Sequence, residues 1–171
     1  MDLSTQYLGI ELRNPIIVGS SGLTSSVEKI KNAEKAGAAA VVLKSIFEEE
    51  VALEYADFMK TAKNFAGDSQ YFDYDGRKVP IEYYNYVVRE ENLKKYITLI
   101  EESKKAVSIP VIASINCFLQ SVEWMSYAKQ LEAAGADALE LNMFFPPTDF
   151  KQNRTDREGI YFKITEAVTR E

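Results

Sequence analysis

Residues 33–44, AEKAGAAAVVLK, and residues 131–142, LEAAGADALELN, align without a gap. Each copy runs from a helix end through a glycine and small residues into an apolar strand and closes on a polar side chain, so Lys44 and Asn142 share one register position. A glycine just past a helix belongs where the backbone turns left-handed, a conformation that a Cβ penalises. Upstream of each copy lies a short apolar run bounded by breakers, PIIVGS at 15–20 and PVIASI at 110–115. Neither run alternates apolar with polar residues, which is the pattern of strands covered on both faces. A helical pattern follows each: Val27 to Gly37 after the first, and Gln120 to Ala134 after the second, with Val122, Tyr127 and Leu131 at roughly helical spacing. The spans 15–44 and 110–142 are therefore two strand–helix–strand units, each about 30 residues long, as a right-handed parallel crossover requires. This repeat predicts an α/β protein with at least four parallel strands.

The remaining segments fit around that frame. A short hairpin is expected over Gln6 to Leu12, around Gly9 and Ile10, capping the bottom of the sheet. Ser45 to Val88 forms a long insert after the second strand, rich in Tyr, Phe, Asp and Gly, whose DYDG at 73–76 reads as a hairpin turn. Forty-odd residues exceed the usual loop length, so the insert reads as a lid or a partner surface. Glu90 to Ala106 is an amphipathic helix with Leu93, Tyr96, Ile97, Ile100 and Val107 on or near one stripe, and a last helix is expected from about Asp156 to Thr169. Strand–helix alternation of this kind builds either an α/β barrel or an open doubly wound sheet. The regular repeat, and the absence of Gly-x-Gly-x-x-Gly at any helix start, favour the barrel. A complete eight-fold barrel needs about 250 residues. With 171 residues and about four strands, the chain is expected to be a fragment, a half-barrel or an unusual open sheet.

Composition narrows the chemistry. Twenty basic against 26 acidic side chains give a net charge of −6, and no basic run could release counterions from a nucleic acid. No apolar stretch is long enough to cross a membrane, and the amino terminus lacks a secretory pattern, which makes a reducing cytoplasm the expected location. With no histidine and the single Cys117, a metal site and any His-based triad are not expected.

In parallel α/β folds, ligands sit at the carboxyl ends of the strands. Strand one delivers Gly19, Ser20, Ser21 and Gly22, whose glycines allow close backbone approach. Strand two delivers Lys44 and Ser45, strand three Ser114 and Asn116, and strand four Glu140 and Asn142 followed by MFFPP. A cation, several hydroxyls and two amides suit a planar heterocycle with carbonyl and ring-nitrogen edges better than a metal. Asn142 equally suits a loop-capping role. Cys117 reads as an inert small residue near a helix start, and the acidic run Glu48, Glu49, Glu50 as a solvated face.

These residues carry a resemblance. LGIELRNPIIVGSSG, AGAAAVVLKS, PVIASIN and GADALELNMFFPP resemble the amino-terminal half of the dihydroorotate dehydrogenase family. Its soluble members run L-G-x-x-x-x-N-P, (A/S)-S-G, T-K-S, S-I-x-G and E-L-N-L-S-C-P-N in that order. The likeness covers about 1–50 and 105–150. It implies a TIM barrel binding FMN at its carboxyl mouth and passing a hydride from a dihydropyrimidine to flavin N5. By the same resemblance Ser20, Ser21 and Gly22 would line the flavin, and Ser45 would hydrogen-bond it. Asn116 would contact it as well, while Lys44 and Asn142 would touch flavin and substrate.

The chain departs from the family where Ser-Cys-Pro-Asn is replaced by Phe144, Phe145, Pro146 and Pro147. The family's Cys or Ser base aligns with Phe145, which cannot accept a proton. The Asn-Ser-Met-Gly-Leu-x-Asn segment has no counterpart between Asn64 and Asn85. The sequence thus implies a cytoplasmic FMN oxidoreductase acting on a small molecule. The alternatives are a non-catalytic paralogue or a half-barrel whose open strand edges pair with a second copy as a dimer.

Overall fold

The computed structural model describes residues 1–47, 71–74, 77–116, 123–144 and 153–170. They fall into two compact units, Met1–Ser45 with Ile97–Glu171, and Ile46–Tyr96.

The first unit opens with the hairpin β1 (Thr5–Tyr7) and β2 (Ile10–Leu12), paired antiparallel with Tyr7 opposite Ile10. Its two turn residues, Leu8 at φ 54° and Gly9 at φ 77°, both lie in the left-handed region, the backbone that matches the twist of the flanking strands. Leu12 packs with Ala39 and Ala40, and Ile10 and Ile17 lean on that cluster, so the hairpin covers the amino-terminal end of the sheet as expected.

The chain continues through β3 (Ile17–Val18), a 3-10 turn at Gly22–Thr24, α1 (Val27–Lys35) and β4 (Ala40–Val42). Ser26 caps α1, with Glu28 in the first turn and Lys35 in the last, each on the side that complements the helix dipole. Ile30 is its fully buried anchor, worth roughly 1.5–3 kcal/mol. Between the two copies of the repeat run β5 (Ile46–Phe47), β6 (Tyr71–Tyr74), β7 (Arg77–Pro80) and α2 (Ile81–Ala106). The second copy is β8 (Val111–Asn116), α3 (Glu123–Ala133) and β9 (Ala138–Leu141), and α4 (Arg154–Thr169) follows.

The sequence repeat is a repeat of hydrogen bonds. After α1 the Gly37 N–H donates to Glu34 O (3.0 Å) and Ala38 N–H to Ala33 O (3.1 Å); after α3 the Gly135 N–H donates to Glu132 O (2.9 Å) and Ala136 N–H to Leu131 O (3.2 Å). Both ends are Schellman motifs, with Gly37 at φ 101° and Gly135 at φ 91°. The next residue in each copy steps into the sheet, Ala39 N–H to Ile16 O and Asp137 N–H to Val111 O. β3 pairs with β4, β4 with β8, and β8 with β9, all parallel. Ala40 to Leu43 and Val111 to Ile115 are buried, as apolar runs covered on both faces must be. Four consecutive parallel strands with helical crossovers are compatible with half of an α/β barrel.

Three details differ from the sequence reading. The α2 helix begins at Ile81, directly after Pro80, so the insert expected to run to Val88 gives way to helix eight residues earlier. The buried stripe of α3 runs through Trp124, Tyr127 and Leu131, while Val122 lies outside the described residues. The α4 helix starts at Arg154 rather than near Asp156. The expected hairpin is present in the second unit, where β6 and β7 pair antiparallel with Tyr74 opposite Arg77. Residues 75–76 at its tip are outside the described residues, as are Cys117, the Glu48–Glu50 run and Phe145. Among the described residues no helix is long and apolar enough to cross a membrane, and no group of three or more His, Cys, Asp or Glu could hold a metal ion.

Candidate functional site

The two ends of the four-stranded sheet are built from different bonds. At the amino-terminal end, long polar side chains tie down backbone. Arg13 donates to Glu34 O (3.0 Å) and Ala38 O (2.5 Å), and Asn14 Nδ2 donates to Gly37 O (3.0 Å). Asp137 accepts from the Val111 N–H (2.7 Å) and pairs with Lys104 (2.6 Å). Glu34 accepts from both the N–H and the hydroxyl of Ser108, each at 2.7 Å, and these bonds, the hydroxyl's first, hold its carboxyl below the ordinary carboxylate value. Such bonds satisfy backbone groups where helices hand over to strands.

At the carboxyl end, short side chains bond to one another. Ser20 follows β3, Ser45 follows β4, Ser114 lies on β8 and Glu140 on β9, directly opposite Ser114 in register. Their side chains form one row: Ser20 Oγ to Ser45 Oγ 3.1 Å, Ser45 Oγ to Ser114 Oγ 2.6 Å, Ser114 Oγ to Glu140 Oε1 2.6 Å. Two further bonds converge on it, the Ser45 N–H donating to Ser20 Oγ (2.9 Å) and Asn142 Nδ2 donating to Ser45 Oγ (3.3 Å). Asn142 itself is held by its N–H to Ile115 O at 2.8 Å. Four strand ends thus meet through hydroxyls, a carboxylate and an amide, with Ser45 and Ser114 buried at 3% and 0% exposure.

The row brings together three of the residues expected at the site, Ser20, Ser45 and Asn142. Lys44 stands at the same rim, exposed between the buried Leu43 and Ser45. Asn116 ends β8, half-buried, two residues beyond Ser114 and so on the same face of the strand. Ser21 serves its own loop, accepting from Leu23 N–H (3.3 Å) and donating to Gly19 O (3.1 Å). Gly22 is exposed; a Cβ there would meet nothing within 4 Å, and its carbonyl accepts from Lys29 Nζ at 2.7 Å. Phe145, which the resemblance aligns with the family's base, lies outside the described residues.

Ser114 and Glu140 were legible as strand-end residues, but their part in the site was not. The signal is two-residue spacing: Ser114 with Asn116, and Glu140 with Asn142, each pair on one face of a strand. A groove between α3, α4 and the start of β9, lined by Leu131, Asp137 and Val168, lies at the other end of β9 from this row.

No family model matches the chain. Among curated proteins it is 28% identical over 152 residues to the dihydroorotate dehydrogenase B (NAD(+)) catalytic subunit of Thermoplasma volcanium. It is 29% identical over 153 residues to the protein of the same name from Thermoplasma acidophilum. Each likeness covers 85% of this chain and 42% of the relative, so the chain spans less than half the length of either.

Proposed function

We propose, from the relationship to the dihydroorotate dehydrogenase family that these likenesses support, that the chain forms the amino-terminal half of a TIM barrel in a cytoplasmic FMN oxidoreductase. The single observation that carries the reading is the row Ser20–Ser45–Ser114–Glu140, joined by Asn142, at the carboxyl ends of four parallel strands. Neutral hydroxyls and amides fit the carbonyl and N–H edges of a flavin ring, and the open space over Gly22 leaves its loop accessible to a flat ligand. Ser20, Ser21, Gly22, Lys44, Asn116 and Asn142 are the proposed flavin-holding set, with Lys44 and Asn142 also facing the substrate; Ser45, expected to bond the flavin, is buried with its N–H and hydroxyl engaged in the row and backs Asn142 instead. FMN, when bound, supplies an acceptor for hydride. The residues of this chain bind and orient, and Lys44 supplies positive charge near the reacting edge.

The proposed substrate is a dihydropyrimidine or a related small enone. Family members remove a proton with a Cys or Ser, and Phe145, which cannot accept one, aligns with that position here, so no base for that step is assigned to this chain. The outer strands β3 and β9 have no second strand neighbour among the described residues; a complete barrel would cover them with its carboxyl-terminal half, and the 171-residue chain by itself would cover them with a second copy, as a dimer.

Titration of FMN, followed by quenching of flavin fluorescence, tests the reading. Saturable binding that weakens about tenfold in Lys44→Ala and in Asn142→Ala is expected, the effect of one lost charged or polar contact. Binding unchanged by both substitutions would remove the proposed site.

A further inference from the structure

The hydrogen-bonded row has a direction, and that direction fixes more than packing. An ionised carboxylate only accepts, so the Ser114 hydroxyl proton points at Glu140 Oε1. Ser114 therefore accepts from Ser45, and the single Ser45 proton is spent on that 2.6 Å bond. Both lone pairs of Ser45 Oγ are then taken, one by the Ser20 hydroxyl and one by Asn142 Nδ2. Ser45 has no hydrogen-bonding capacity left for a ligand. Asn142, meeting an oxygen that can only accept, must turn its NH2 toward Ser45 and its Oδ1 away.

We propose that Glu140 is a positioning residue that acts through Ser114 and Ser45 to set which way the Asn142 amide faces, so that the mouth offers an acceptor at Asn142 Oδ1 and selects a ligand edge carrying an N–H or O–H donor. Without a carboxylate at position 140 to take the Ser114 proton, the Ser114–Ser45 bond is no longer held in that one direction. Ser45 then donates to Asn142 as readily as it accepts, and the amide flips between two orientations. The identity of the ligand as a flavin rests on the reading above; the orientation of Asn142 does not.

The test uses the 171-residue chain and the side-chain NH2 signals of Asn142, identified by their loss in Asn142→Asp. Glu140→Leu and Ser114→Ala are expected to shift and broaden those signals while the backbone amide spectrum stays folded. Glu140→Gln, whose carbonyl oxygen still accepts from Ser114, restores them. If Glu140→Leu unfolds the chain, Ser114→Ala, which removes one oxygen, carries the same test. FMN titration supplies the second readout: Glu140→Leu and Ser114→Ala should each weaken binding about tenfold, with the double variant no worse than either, because both break one chain. Asn142 signals unmoved in folded Ser114→Ala, or losses that multiply in the double variant, would overturn the proposal. Asn142 signals that respond in a chain with no affinity for FMN would uphold the positioning role and defeat the flavin reading alone.

Discussion

Glu34 and Ser103 each tie the stability of the fold to a single side chain. The Glu34 carboxylate, fixed by the Ser108 hydroxyl and N–H, has its proton affinity lowered in the folded state relative to the ordinary value of 4.5. The unfolded chain therefore binds the proton more readily, and the contribution to stability is present above 4.5 and lost as pH falls through the lowered folded value. Thermal melts should show wild type losing stability faster than Glu34→Gln as pH drops below 4.5; parallel losses would mean that the bond carries no net weight. Ser103 is fully buried on α2, and its hydroxyl has no hydrogen-bond partner among the described residues. An unsatisfied buried hydroxyl costs about 1–3 kcal/mol, so Ser103→Ala should raise Tm by at least about 2 °C. A fall in Tm would show that the hydroxyl is satisfied in solution. Neither residue could be singled out from sequence, because both effects depend on which element lies opposite.

At the scale of elements, the repeat was the most legible part of the chain. Buried parallel strands advertise themselves as unbroken apolar runs, and Schellman ends advertise themselves as glycines at fixed offsets. Gly37 and Gly135 are both left-handed, and neither has a neighbour that a Cβ would strike. Gly37→Ala and Gly135→Ala should accordingly each cost about 1–2 kcal/mol through backbone conformation alone. Gly22→Ala, at a position without positive φ and with equal space, should leave stability within about 0.5 kcal/mol. Equal Tm values for all three would contradict this account of the helix ends. The start of α2 was not legible: IEYYNYVV is rich in aromatic and β-branched residues, which favour strands locally, and the helix forms there regardless. Strand-end residues were legible as a set, but Ser45 as a saturated node was not. That role follows from the register placing Ser114 opposite Glu140, which no single strand reveals.

At the scale of the molecule, two chemistries divide the sheet: backbone-directed ties at one end, and a side-chain row at the other, where parallel α/β proteins place their ligands. In the 171-residue chain by itself, β3 and β9 have no second strand neighbour among the described residues, and sedimentation is expected to show a dimer; a strict monomer across concentration would remove that part of the proposal. FMN binding is read from the visible absorption spectrum of the protein purified from its source cells. Flavin bands near about 370 and 450 nm are expected, with FMN released on denaturation. A colourless protein that takes up no FMN when it is added would contradict it.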